Sequence, residues 1–182
     1  IMAAECGFQG FIAALNSLKC ANNPGMVGKL DWRGHLETQD AHAEVFKELT
    51  DSLKTSQVTE VDFSSCGIGH VALGHLGEWV REATAALNSI SLSGNPLTGG
   101  GVLNDEKVYS AKEWGSEEDL SGFISFCEAL SELKNPIHLN LSNCGLSVNG
   151  VNPVAKAISA GAVISSLTLD MNGIFGRPTM TM

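Results

Sequence analysis

The chain has 182 residues, 43% of them apolar and 17% charged, with a formal net charge of −9 and only 11 Lys and Arg. That is the composition of a folded domain or a stack of small units, not of a disordered segment. Few dispersed cations release few counterions from phosphate, which argues against nucleic acid and against an anionic membrane surface, and no apolar run of about 18 residues exists to span a bilayer.

The five cysteines (Cys6, Cys20, Cys66, Cys127, Cys144) are odd in number and form no CxxC pair, so zinc-ribbon and dithiol chemistry have little support. Unpaired thiols in an apolar chain suggest a reducing compartment, hence an intracellular, cytoplasmic setting. The chain opens on Ile1 without a basic segment followed by an apolar run, and reads as a fragment of a longer protein. The sequon Asn140-Leu141-Ser142 falls inside an expected strand and reads as accidental.

In chain order, residues 5–19 come first; their GFIAALNSLK resembles the helical GFISFCEALSELK near Phe123, which predicts a helix. VGKLDWRGHLE from Val27 then reads as a degenerate strand-and-turn unit keeping Val27, Leu30 and Trp32, with Trp32 expected in the core. Asp40–Leu53 places Val45, Phe46, Leu49 and Leu53 on one helical stripe. VTEVDFSSCGI from Val58 alternates apolar residues around Val61 and Phe63 and predicts a strand buried on one face. Val71–Ala86 predicts a helix with Leu76, Trp79, Val80 and Ala83 inward, and LNSISLSGNPL from Leu87 a second strand. Residues 98–115 interrupt the pattern and place Tyr109 and Trp114 outside it, as an insertion loop. Glu117–Leu133 predicts a helix capped by Ser116, with acids in its first turn and Leu120, Phe123, Ile124, Cys127 and Leu130 inward. PIHLNLSNCGL from Pro136, a helix carrying Val154, Ala155 and Ile158, and ISSLTLDMNGI from Ile164 complete the series.

The strand segments share one frame, apolar-x-x-apolar-x-apolar-x-x-(Asn or Cys)-x-apolar. Its matching positions Leu30, Val61, Ile90, Leu139 and Leu167 are 31, 29, 49 and 28 residues apart, the long step holding the insertion. A side-chain amide at Asn95 or Asn172 can satisfy backbone groups where the chain turns from the strand, and Cys66 and Cys144 are small substitutes that still pack.

A strand-plus-helix repeat of this length, with Cys66, Asn95, Cys144 and Asn172 in alternation and GVNPVAKAI from Gly150, resembles the ribonuclease-inhibitor-like class of leucine-rich repeat proteins. The resemblance implies an α/β leucine-rich repeat solenoid of about five repeats over residues 1–182, with a curved parallel sheet on the concave side and helices on the convex side. It also implies a protein partner met on the concave strand face and adjoining loops. On the strand frame the concave side carries a central column of Asp31, Asp62, Ser91, Asn140 and Thr168, flanked at its start by Arg33. These, with Tyr109 and Trp114 of the insertion, are the candidate partner-binding residues.

Catalytic constellations are not expected. His35, His42, His70, His75 and His138 lack the same-face spacing of a helical zinc pair, and no HExxH, GxSxG, GxGxxG or Walker spacing occurs. The expectation is a non-enzymatic interaction module or scaffold, possessing neither metal nor cofactor. The alternative is a regulator of an enzyme, such as a small-GTPase-activating protein.

Overall fold

The computed structural model describes residues 15–103, 107–110, 115 and 117–174. They form nine strands and four helices: β1 Ser17–Lys19, β2 Lys29–Leu30, β3 Leu36–Thr38, α1 Ala43–Leu53, β4 Glu60–Asp62, α2 His70–Glu82, β5 Ser89–Ser91, β6 Gly101–Leu103, β7 Lys107–Tyr109, α3 Ser121–Glu132, β8 Ile137–Asn140, α4 Val148–Ser159 and β9 Ile164–Thr168. Five strands make a parallel sheet in the order β1-β4-β5-β8-β9, which is sequence order, so each chain segment lies beside the next as a rung. The register joins Leu18, Val61, Ile90, Leu139 and Leu167 in one row. Four of those residues are the frame positions read from the sequence.

Alternation explains the burial. Val61, Phe63, Ile90, Leu92, Leu139 and Leu141 are buried, the intervening Asp62, Ser91 and Asn140 are half-buried, and Glu60 and His138, just before Val61 and Leu139, are exposed. One core runs beneath the sheet and receives the helix stripes: Phe46 and Leu53 of α1, Leu73, Leu76, Trp79 and Val80 of α2, Phe123, Phe126 and Leu130 of α3, and Val154 of α4. Phe46 meets Phe63 edge to face, ring centroids 5.2 Å apart, fixing α1 against the second rung. Helices α2 and α3 pack with almost no separation: a Cβ on Gly122 would lie 1.7 Å from the His70 carbonyl oxygen. Arg81 Nε also donates to Glu132 Oε1 at 2.9 Å across that pair.

The beginning of the chain departs from expectation. The first rung is Ser17–Lys19, not the segment around Leu30, and it ends the stretch expected to be helical to residue 19. Lys29–Leu30 instead pairs antiparallel with Leu36–Thr38. Leu15–Pro24 (LNSLKCANNP) aligns residue for residue with Leu87–Pro96 (LNSISLSGNP), so the true steps are 43, 29, 49 and 28 residues. Two long steps, not one, carry insertions. Trp32, expected in the core, is 85% exposed. On the helices, Val45, Ile124, Ala155 and Ile158 lie outward. Helix α3 starts at Ser121, after Glu117, Glu118 and Asp119 rather than around them; Ser116, Cys6 and residues 5–14 of the expected first helix lie outside the described residues.

At the end of every rung one residue adopts positive φ, namely Asn22, Ser65, Gly94, Asn143 and Met171, and turns the chain off the sheet. From the second rung on, the Asn or Cys at the very next position then ties rungs together. Asn95 Oδ1 accepts from Cys66 N (2.9 Å) and Ile68 N (3.0 Å), while its Nδ2 donates to Phe63 O and Leu92 O, both at 2.8 Å. Asn172 makes the same four bonds to Cys144 N, Leu146 N, Leu141 O and Leu169 O. The thiols reach the other way: Cys66 Sγ donates to Cys20 O at 3.1 Å, and Cys144 Sγ to Leu92 O at 3.2 Å. Buried backbone groups that the turns leave open are thus satisfied by side chains of the neighbouring rung.

Candidate interaction surface

The helices cover one face of the sheet, and the side chains between the buried ones form the other. The register places Lys19, Asp62, Ser91, Asn140 and Thr168 in one column. Of the five residues expected there, four are present; Asp31 is not, and Lys19 stands in its place. The column is joined internally. Ser64 Oγ donates to Asp62 Oδ1 at 2.6 Å and lies 2.8 Å from Ser91 Oγ. Asn140 Nδ2 donates to Ser91 Oγ at 3.2 Å, and Ser142 Oγ donates to Asn140 Oδ1 at 2.8 Å. These bonds hold Asp62, Ser91 and Asn140 in fixed rotamers on a half-buried strip, so a partner meeting it finds ordered polar groups with little side-chain entropy to lose.

Asp31 and Arg33 belong to the turn of the β2–β3 hairpin. Asp31 Oδ1 accepts from Arg33 N (2.8 Å) and His35 N (2.9 Å), and Gly34 N donates to Asp31 O at 3.1 Å. Those N–H groups, His35 first, hold the exposed Asp31 carboxyl below the ordinary carboxylate range. Asp31 therefore shapes a turn, in the Asp-x-x-Gly pattern that favours one. Arg33 Cζ lies 4.5 Å from the centroid of the Trp32 ring at the hairpin tip.

The insertion at 98–115 contains a second antiparallel hairpin, β6–β7, in which Val102 pairs with Val108. Lys107 Nζ lies 4.6 Å from the Tyr109 ring centroid. Trp114 lies outside the described residues. Val108 is buried, and its backbone N donates to Asn143 Oδ1 at 2.9 Å, so this hairpin lies over the turn of the β8 rung.

The two hairpins are equivalent. Each follows an Asn-Pro pair, Asn23-Pro24 or Asn95-Pro96, and each packs on the Cys-Gly turn of the next rung. A Cβ on Gly67 would lie 2.5 Å from Pro24 O, and one on Gly145 would lie 2.7 Å from Tyr109 O; both glycines also have positive φ. Val27 N donates to Cys66 O (3.1 Å) and Asp40 N to Gly67 O (3.1 Å) in the first case. Each insertion closes with an acid that reaches past the helix after it to the N-terminus of the following one, α2 or α4. The Asp40 carboxylate accepts from Gly69 N, Val71 N and Ala72 N, and Glu118 accepts from Ser147 Oγ and Asn149 Nδ2. Between the hairpins, at the ends of the central strands, lies a cleft of about 320 Å³ lined by Asn22, Pro24, Leu36, Ser65, Gly67, Gly94 and Val102. A longer apolar groove of about 430 Å³, with Leu120, Ile124, Cys127 and Pro153 among its walls, runs between α3 and α4 on the other side.

The remaining polar candidates are dispersed. His35 is in the first hairpin, His42 precedes α1, His70 and His75 are in α2, and His138 is on the open sheet face. No group of three metal-ligating side chains occurs among the described residues. Burial pushes the thiols of Cys66, Cys127 and Cys144 up to about 12, so each stays protonated. Asn95 is fully buried with its amide committed to four backbone groups.

No protein-family model matches the chain, and no curated protein matches it. Among solved structures it is similar to one described as leiomodin-1 actin-binding site 2, with a TM-score of 0.50 and 12% identity, covering 83% of this chain and 69% of the other. At that identity the likeness is one of fold. Among the described residues no helix is long and apolar enough to cross a membrane.

Proposed function

We propose that this chain is part of a leucine-rich repeat solenoid of the ribonuclease-inhibitor-like class, and that it acts as a non-catalytic module binding a protein partner through its open sheet face and the hairpins at the strand ends. The observation carrying the reading is the in-register column Lys19, Asp62, Ser91, Asn140 and Thr168, ordered by its own hydrogen bonds and left without a helix layer. Stacked rungs present such a face as a continuous wall, and the spacing of parallel strands, about 4.8 Å against about 10 Å for helices, favours curvature with the wall inside. A fold likeness to a protein described as an actin-binding site accords with a protein-binding role.

The lysines provide the test, because Lys19, Lys29 and Lys107 lie on the sheet and hairpin side while Lys47 and Lys156 lie on helices and Lys54 directly follows α1. Lysine crosslinking of the full-length protein, purified with its associated proteins, should give intermolecular links from the first group. Links only from the helix lysines would overturn the reading. Asp62→Lys should weaken the recovered association without unfolding the chain.

A further inference from the structure

Resting on that reading, we propose that the rim between the two hairpins is the anchoring part of the interface, and that it takes an acidic protein segment carrying one bulky apolar side chain. Three observations meet there. The chain has three Trp and one Tyr in all, and two of those four rings stand on the hairpins, each with a cation over its face: Trp32 with Arg33 and Tyr109 with Lys107. The indole of Trp32, 85% exposed, has more apolar area to hide than any other side-chain type and sits on a turn pinned by the Asp31 carboxylate. Trp, Tyr and Arg dominate interface energetics, and a pre-ordered turn reduces what is lost on ordering them.

The charge pattern gives the partner's sign. In a chain of net charge −9, four of the nine Lys and Arg among the described residues are already neutralised. Lys29 pairs with Glu37, Lys47 and Lys54 with Asp51, and Arg81 with Glu132. Of the five that pair with no carboxylate of the described residues, Lys19, Arg33 and Lys107 fall on the first rung and the two hairpins, while Lys134 follows α3 and Lys156 lies on α4. The cleft between the hairpins supplies the seat, with Pro24, Leu36 and Val102 as its apolar lining beside Asn22 and Ser65. Its volume of about 320 Å³ admits one leucine or phenylalanine side chain. Carboxylates flanking that side chain would meet Arg33 from one hairpin and Lys107 from the other.

The test uses the full-length protein and a fluorescein-labelled nonapeptide, Asp-Glu-Asp-Gly-Phe-Gly-Asp-Glu-Asp, read by anisotropy. Two further peptides carry Asn and Gln, or Lys, in place of the acids. The acidic peptide should bind saturably and weaken with salt, as exposed charge pairs do. Trp32→Ala and Arg33→Ala should each weaken it by about tenfold, Lys107→Ala by less, and Lys156→Ala, on the far helix layer, not at all. Equal binding of the neutral or basic peptide, equal loss in Lys156→Ala, or no saturable binding of the acidic peptide would each overturn the proposal. If the last result accompanies partner crosslinks from Lys19, the rim proposal falls while the interaction function stands. Crosslinks confined to the helix lysines remove both.

Discussion

Replacing Asn95 with Ala removes one side chain and leaves three backbone groups without partners, the N–H groups of Cys66 and Ile68 and the carbonyl of Phe63, while the Leu92 carbonyl keeps only the Cys144 thiol. All four residues are buried, so water cannot substitute without opening the turn. An unsatisfied buried polar group costs roughly 1–3 kcal/mol. Taking the lower figure for each, because some relaxation will occur, the loss should be about 3 kcal/mol, a large part of a domain's ordinary stability. Asn23 supplies the control. It stands at the equivalent position of the first rung but is exposed, and among the described residues its Nδ2 donates only to Cys20 O and Ala21 O of its own turn. Asn23→Ala should cost less than about 1 kcal/mol. Urea unfolding followed by far-UV circular dichroism measures both, with an unchanged slope showing that the native state has kept its compactness. If the two variants lose the same small amount, side-chain satisfaction of the turns does not hold the rungs together, and the structural argument fails at its base.

Other expectations follow from the same geometry. Gly122→Ala should cost more than about 3 kcal/mol, because its Cβ would meet the His70 carbonyl at 1.7 Å and force α2 and α3 apart. Gly74→Ala, in the interior of α2 with its nearest neighbour at 3.9 Å, should instead be neutral or stabilising by up to about 1 kcal/mol; thermal melts of the pair decide this. Asp51, held by Lys47 and then Lys54, has its pKa lowered from 3.8 to about 2. A depressed carboxylate contributes stability that is present above 3.8 and lost as pH falls toward 2, so Asp51→Asn should flatten that part of the pH profile; high salt should also shrink the effect, since the pair is exposed. In a Cys6→Ser background, native protein at pH 8 should expose only Cys20 to Ellman's reagent, with Cys66, Cys127 and Cys144 reacting only after unfolding. Prompt reaction of the buried three would contradict their packing.

From the second rung onward the fold was legible. Val61, Ile90, Leu139 and Leu167 are in register as the frame implied, and Asn95 makes the bonds that a buried amide at a turn should make. The first rung was missed for a physical reason. Its insertion stretches the step to Val61 to 43 residues, while the hairpin segment around Leu30 has the apolar alternation of a strand and lies at an apparently regular distance of 31. Two signals were available: the match of Leu15–Pro24 to Leu87–Pro96, and the Asp-x-x-Gly turn at Asp31–Gly34. Displacing the first rung displaced the candidate site with it. Asp31 and Arg33 moved from the wall to a hairpin tip, and Lys19 entered the column. The cleft was not legible, because its walls come from two insertions that are adjacent only after folding.

The alternation of Asn and Cys has a mechanical consequence. An amide joins the second rung to the third and the fourth to the fifth with three bonds across each joint, whereas a single thiol spans the first to the second and the third to the fourth. Sulfur is the poorer donor, so the joints are unequal. Each hairpin crosses one of the weaker joints: the first leaves rung one and lies on rung two, the second leaves rung three and lies on rung four. Under tension the stack should part into two-rung blocks once those clasps are trimmed, and the same loops that face a partner would govern how far the protein yields when that partner pulls.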